Sequence, residues 1–133
     1  MDLVIDANIL FAALIKESVT KELILSKGIN LFAPEFLFEE FYKYKEEILK
    51  KTNRSLEEFD EIFMILTNII TLIPEEEFCL FLEKARSISP DENDSAYFAL
   101  ALKLNCAIWS NDKKLKNQDR IRVYSTQDLI EIL

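Results

Sequence analysis

The chain has 133 residues, half of them hydrophobic, and a formal net charge of −8. That is the size of one domain with a real core, covering residues 1–133, and no apolar run is long enough to span a bilayer. There is no histidine and only one glycine, Gly28, which excludes Ser-His-Asp and Cys-His catalysis, histidine-based zinc sites, P-loops and GxGxxG turns.

Five short apolar stretches read as strands: Leu3–Asp6, Asn30–Ala33, Ile69–Ile73, Cys106–Trp109 and Arg122–Tyr124. Between them the periodicity predicts helices. The run Ala7 to Ile15 reads only as a further apolar segment. Ser18–Lys27 ends on Gly28, a natural left-handed C-cap. Pro34–Lys51 opens with proline at its first position. Ser55–Asn68, Glu75–Ser87, Ser89–Asn105 and Thr126–Leu133 follow. Short strands alternating with helices imply a three-layer α/β/α sandwich around a mostly parallel sheet of about five strands. Cys79 and Cys106 lie in apolar contexts without a CxxC pattern, so buried free thiols in a reducing cytoplasm are expected. No signal peptide interrupts this reading, because Asp2 and Asp6 fall where an apolar leader would run.

In such sheets ligands bind beyond the carboxyl ends of the strands. Asp6, in "LVIDANIL", stands at the end of the first strand, where a carboxylate must cap a turn, find a partner or hold a cation. On the second predicted helix, Leu37, Phe41, Tyr44 and Ile48 form one buried stripe. At about 100° per residue Glu40 borders that stripe, roughly 70° from its centre, and Glu39 faces water. In "SPDENDSAYFALALKLN" the acids crowd the first turns. Ser89 and Glu92 fit a capping box, whereas Asp91 and Asp94 share a face that capping does not require. Support of the helix dipole is the competing explanation for these two. In "AIWSNDKKLK" an apolar strand runs through Ser110 and Asn111 to Asp112. This aspartate could N-cap a short helix, yet its placement repeats that of Asp6.

Carboxylates gathered at one point cannot all ionise unaided, and a divalent cation resolves the conflict. Oxygen ligands without histidine or thiolate select Mg²⁺ or Mn²⁺ over zinc. Such clusters act on phosphate esters through activated water.

The segments "VIDANIL", "PEFLFEEF", "DENDSAYFALAL" and "IWSNDKKL", in that order, resemble the PIN-domain family of ribonucleases, which includes VapC-like toxins and RNA-processing nucleases. The resemblance spans essentially the whole chain. It implies a catalytic and metal-binding quartet of Asp6, Glu40, Asp94 and Asp112, with Asp91 as an accessory ligand. Asn8, Ser110 and Asn111 would support it. It also implies an RNA substrate, a homodimer and, for a toxin, an antitoxin whose segment enters the acidic groove. The toxin role is favoured because the chain reads as a bare minimal domain. The acidic net charge opposes RNA binding, but Lys103 to Arg122 hold six basic residues and two acids. Lys113, Lys114 and Lys116 are therefore candidate RNA contacts, with an ordinary solvated lysine face as the alternative. Two other classes stand beside this reading. One is a domain that binds RNA or protein without cleaving. The other is a phosphatase of the haloacid-dehalogenase type, which needs a second aspartate where this chain has Asn8.

Overall fold

The computed structural model describes residues 1–14 and 19–133. Five strands, β1 (Asp2–Ile5), β2 (Asn30–Pro34), β3 (Ile70–Ile73), β4 (Ala107–Trp109) and β5 (Val123–Tyr124), form one all-parallel sheet in the order β3-β2-β1-β4-β5. Helices flank it in the three-layer arrangement expected. Each strand lies within one residue of its predicted bounds, since a run such as Leu3-Val4-Ile5, fully buried, has no other way to satisfy its backbone than a central ladder.

The central strand β1 pairs with β2 on one side and β4 on the other, with Ile5 level with Trp109. From β1 the chain moves outward to β2 and β3, then returns across the sheet to β4. The crevice between β1 and β4 is therefore the topological switch point, at their carboxyl ends.

The helices depart from the predicted bounds more than the strands do. Ala7–Leu14 is a helix, α1, burying Ile9, Leu10, Ala13 and Leu14. The next helix, α2, covers Val19–Ile24; the predicted start at Ser18 lies outside the described residues. Gly28 is not its left-handed cap. No glycine has a positive φ, and the Gly28 carbonyl accepts a hydrogen bond from the Met1 ammonium at 2.8 Å. Left-handed caps fall instead to asparagine, at Asn53 and Asn105, which tolerate that region better than other side chains.

The predicted helix Pro34–Lys51 is two helices, α3 (Phe36–Lys43) and α4 (Lys45–Thr52), with a break at Tyr44. Pro34 does not open a helix. It is the last residue of β2, level with Ile73, and the Glu35 amide continues the ladder to the Ile73 carbonyl at 3.0 Å. Because of the break, Tyr44 leaves the predicted core stripe and is exposed, while Leu37, Phe41 and Ile48 stay buried.

Ser55–Asn68 is confirmed as α5 (Leu56–Ile69), opened by a full capping box between Ser55 and Glu58. The segment predicted as Glu75–Ser87 is α6 (Glu75–Phe78), a 3₁₀ turn Cys79–Phe81, and α7 (Leu82–Ile88). Phe78 is buried with a non-helical φ/ψ, so seating its ring in the core breaks the helix. Both thiols are free, but the expectation of burial fails at Cys79, which this turn exposes; Cys106 is half-buried.

The Ser89–Glu92 capping box does not form. The Ser89 hydroxyl donates to the Asp91 carbonyl at 2.5 Å, Asp91 caps a 3₁₀ turn over Glu92–Asp94, and α8 runs Ser95–Leu104. Helix α8 packs across β1, β2 and β4, burying Tyr97 through Ala101. The last helix, α9 (Thr126–Ile132), follows β5.

Candidate functional site

Two backbone facts bring Asp6 and Asp112 together. The register that levels Ile5 with Trp109 makes Asp6 and Ser110 the next pair beyond the ladder. The Ser110 hydroxyl donates to Asp6 Oδ2 at 2.5 Å, and the Asp112 amide donates to Ser110 Oγ at 3.1 Å. A hydroxyl has one proton; because Oγ accepts from Asp112, that proton is directed to Asp6. Ser110 is buried and therefore fixes the two strand-end aspartates relative to each other.

Asp6 itself is 5% exposed. Its Oδ1 accepts from the Ile9 amide at 3.2 Å, so it also opens α1. Burial pushes its carboxyl above the usual aspartate range and Asp112 adds to this, while hydrogen bonds from Ser110, Ile9 and Asn8 pull it back. Asp112 is half-buried. Its Oδ1 accepts from the Lys114 amide at 3.0 Å and opens the 3₁₀ turn Lys113–Lys116. The capping explanation and the site explanation of Asp112 thus hold together, on different oxygens of one carboxylate.

Asp94 stands where the 3₁₀ turn meets α8, half-buried, and its side chain makes no hydrogen bond or ion pair among the described residues. Its carboxyl is pushed up to about 6, first by burial, then by Asp91, Asp6 and Asp112. Asp91 spends Oδ1 on the Asn93 amide at 2.9 Å.

Glu40 and Glu39 are both exposed, so helix phase does not set them apart by burial. What sets them apart is the tyrosine at position 97. Tyr97 is buried on α8, and its phenol is pushed far up by burial and by the charges of Asp6, Asp94 and Glu40. The Ala7 amide approaches the same phenol. Tyr97 also meets Phe36, at the start of α3, edge-on at 5.9 Å. It therefore links the end of β1 to the helix that carries Glu40. Sequence reasoning missed this residue. The available signal was a polar-tipped side chain three residues after Asp94 in an otherwise apolar helix.

The supporting residues divide. Ser110 is central, as described. Asn8 is exposed and contributes its backbone amide to Asp6. Asn111 turns away: its Oδ1 accepts from the Thr126 amide at 2.8 Å and ties the β4 loop to α9. Lys113 and Lys114 are exposed, whereas Lys116 pairs with Asp128 at 2.6 Å. A cavity of about 270 Å³ opens beside Asp112, lined by Ser110, Asn111, Lys113, Lys116, Ser125 and Gln127.

None of the quartet is neutralised by a basic side chain; the ion pairs among the described residues are Arg54–Glu58 and Lys116–Asp128. Nor do three carboxylates approach closely enough, among the described residues, to grip one ion directly. An all-oxygen set of this kind fits a hard cation that keeps several of its waters, as Mg²⁺ does, and does not fit a dehydrated tetrahedral zinc. Asp6, Asp94 and Asp112 are the residues that would hold it; the charge of Glu40 acts on Tyr97, whose phenol also feels Asp6 and Asp94.

No curated protein matches the chain. The family profile described as a PIN domain matches residues 4–126, which takes in the end of β1, the other four strands, and Asp6, Glu40, Asp91, Asp94 and Asp112. The chain belongs to the PIN-domain family.

Proposed function

We propose that the protein is a Mg²⁺- or Mn²⁺-dependent endoribonuclease that hydrolyses RNA phosphodiester bonds. The observation that carries the reading is the placing of Asp6 and Asp112, joined through Ser110, at the switch point of the sheet, with the Asp6 and Asp94 carboxyls both raised and no basic partner among the described residues. A stable fold alone gives no reason to keep a half-buried carboxylate such as Asp94 beside other acids, because burial and like charges disfavour its ionised form. Membership of a family whose fold is that of a nuclease supports it.

A divalent ion bound there supplies a low-pKa water and a Lewis acid for the phosphoryl oxygen. The protein's own contribution is orientation. Ser110 and the Ile9 amide hold both oxygens of Asp6, so its carboxylate meets an ion without having to reorient. The Lys114 amide fixes Asp112 and leaves its second oxygen open. Asp94 and Glu40, without a hydrogen-bond or ion-pair partner among the described residues, complete the set from the helices and can accept hydrogen bonds from ordered waters. The exposed Lys113 and Lys114, beside Asp112, are placed for phosphate contacts.

The finer part of the proposal is the toxin role, with an antitoxin partner and a homodimeric assembly. It rests on the resemblance to the PIN-domain family, which includes VapC-like toxins beside RNA-processing nucleases. No helix among the described residues is long and apolar enough to cross a membrane. Cleavage of a mixed RNA panel with Mn²⁺, with Mg²⁺ and with chelator, for the wild type and Asp6→Asn, tests the activity. Metal-dependent cleavage that the substitution abolishes is the expected result. A folded wild-type protein that cleaves nothing with either metal overturns the assignment.

A further inference from the structure

The sequence places Tyr44 in the buried stripe of a single long helix, yet the structure breaks the helix there and turns the ring to water, 44% exposed. Tyr42, two residues earlier, is 48% exposed. Each ring lies near an ammonium: Lys43 Nζ is 5.8 Å from the centroid of Tyr44, and Lys45 Nζ is 4.6 Å from that of Tyr42. Lys45 also donates to the Tyr42 hydroxyl at 3.3 Å. Tyr42 is backed by Phe59 and Phe63, with ring centroids at 6.4 and 5.5 Å, so its inner side is packed and its outer side meets Lys45 and water. These residues, with Glu46 and Glu47, line a groove of about 370 Å³ at the α3–α4 junction.

The groove is tied to the acidic site by helix geometry. Lys43, the last residue of α3, lies three residues and about one helical turn beyond Glu40 on the same face, and Tyr44 follows it at the break. Exposed aromatic rings interleaved with lysines are what a nucleic-acid single strand uses: a base stacks on the ring and its phosphate meets the ammonium. Glu46 and Glu47 repel phosphate from the α4 side and offer acceptors to base amino groups.

We infer that Lys43, Tyr44, Tyr42 and Lys45 form a platform for single-stranded RNA that seats the nucleotides flanking the bond presented to Glu40 and the aspartates. The inference rests on the ribonuclease reading and deepens it. It gives a chain of net charge −8 a local set of contacts for RNA, two lysines between two exposed rings, which Glu46 and Glu47 confine to a short strip.

The test is binding of a labelled mixed-sequence single-stranded RNA, and of the same sequence as a duplex, to Asp6→Asn protein with and without Tyr44→Ala. Stacking on one ring predicts a loss of about fivefold to 150-fold for the single strand, with the duplex unaffected and Tyr44→Phe restoring the affinity. Lys43→Ala lowers the salt dependence of binding by about one phosphate contact. Single-strand affinity within twofold of the parent in Tyr44→Ala, or equal losses on duplex, overturns the platform. So does tighter binding of an acidic peptide than of RNA. The two readings fail separately. Metal-dependent cleavage with unchanged binding in Tyr44→Ala removes the platform alone. Weakened single-strand binding in a protein that cleaves nothing removes the ribonuclease alone.

Discussion

The acidic edge has two halves built on different terms. The strand-borne half, Asp6 and Asp112, is locked: three of its four carboxylate oxygens accept hydrogen bonds, and Ser110 stands between the two residues. The helix-borne half, Asp94 and Glu40, has no hydrogen-bond or ion-pair partner among the described residues. The first half is part of the fold's own bonding and would exist in some form without a ligand. In the second half, burial and acidic neighbours disfavour the ionised Asp94 in the free protein, and the proposed ion would offset that. Comparing the halves separates what the fold needs from what the function needs.

The sharpest break of that comparison is to remove one acid from each half. Asp6→Asn and Asp94→Asn should each lower metal-dependent cleavage by at least about a hundredfold. Their stabilities should move in opposite directions. In Asp6→Asn the amide nitrogen takes one carboxylate position; facing Ser110, it leaves the hydroxyl proton without its acceptor, and the melting temperature without metal falls. In Asp94→Asn a repelled, half-buried charge disappears and the melting temperature rises by a few degrees. Equal shifts in the two variants would erase the distinction between the halves.

Ser110→Ala is next in size. It strands Asp6 Oδ2 and the Asp112 amide together, with an expected loss of about 1–3 kcal/mol in stability and about tenfold to a hundredfold in cleavage. Denaturant unfolding and initial rates measure the two. Ser110→Thr, which keeps the hydroxyl, should recover most of the activity if its methyl fits.

The comparison also has a pH signature. The Asp94 carboxyl, at about 6 in the folded protein against 3.8 for the free residue, binds its proton more tightly when folded. The stability this confers is fully present below the lower value and is lost as pH rises through the upper one. Without metal, the melting-temperature advantage of Asp94→Asn over the wild type should therefore widen from about pH 4.5 to about pH 7. A constant difference across that window would mean that burial and acidic neighbours do not raise the Asp94 carboxyl.

The smallest expected effect is at Ser95, next to Asp94, whose hydroxyl is buried without a hydrogen-bond partner among the described residues. Ser95→Ala should leave stability within about 0.5 kcal/mol of the wild type or raise it. A large loss would reveal a partner for that hydroxyl in the working protein.

Much of this was legible in the sequence, for identifiable reasons. A fully buried parallel strand must be a short apolar run, so β1 and β4 stood out, and the aspartates just beyond them followed. Asp94 was separable from its neighbours because capping did not need it, although the helix begins later than its composition suggests. What escaped depends on contacts distant in sequence. The Pro34 position is decided by β3, whose Ile73 carbonyl holds the next amide. The break at Phe78 is decided by the core that receives its ring. Tyr97 looked like one more core aromatic, and only the folded arrangement shows its phenol among Asp6, Asp94 and Glu40. Glu40 was preferred over Glu39 by helix phase, but burial does not separate them; what does is that the charge of Glu40 acts on the Tyr97 phenol.

The most direct measurement is a calorimetric Mn²⁺ titration of the wild type, Asp6→Asn and Asp94→Asn at neutral pH, each checked for folding by circular dichroism. Saturable binding by the wild type that weakens at least about tenfold in both folded variants is the predicted result. Binding that is absent from the wild type, or unchanged when Asp94 is neutralised, would contradict the claim that the unpartnered half of this acidic edge exists to hold an ion.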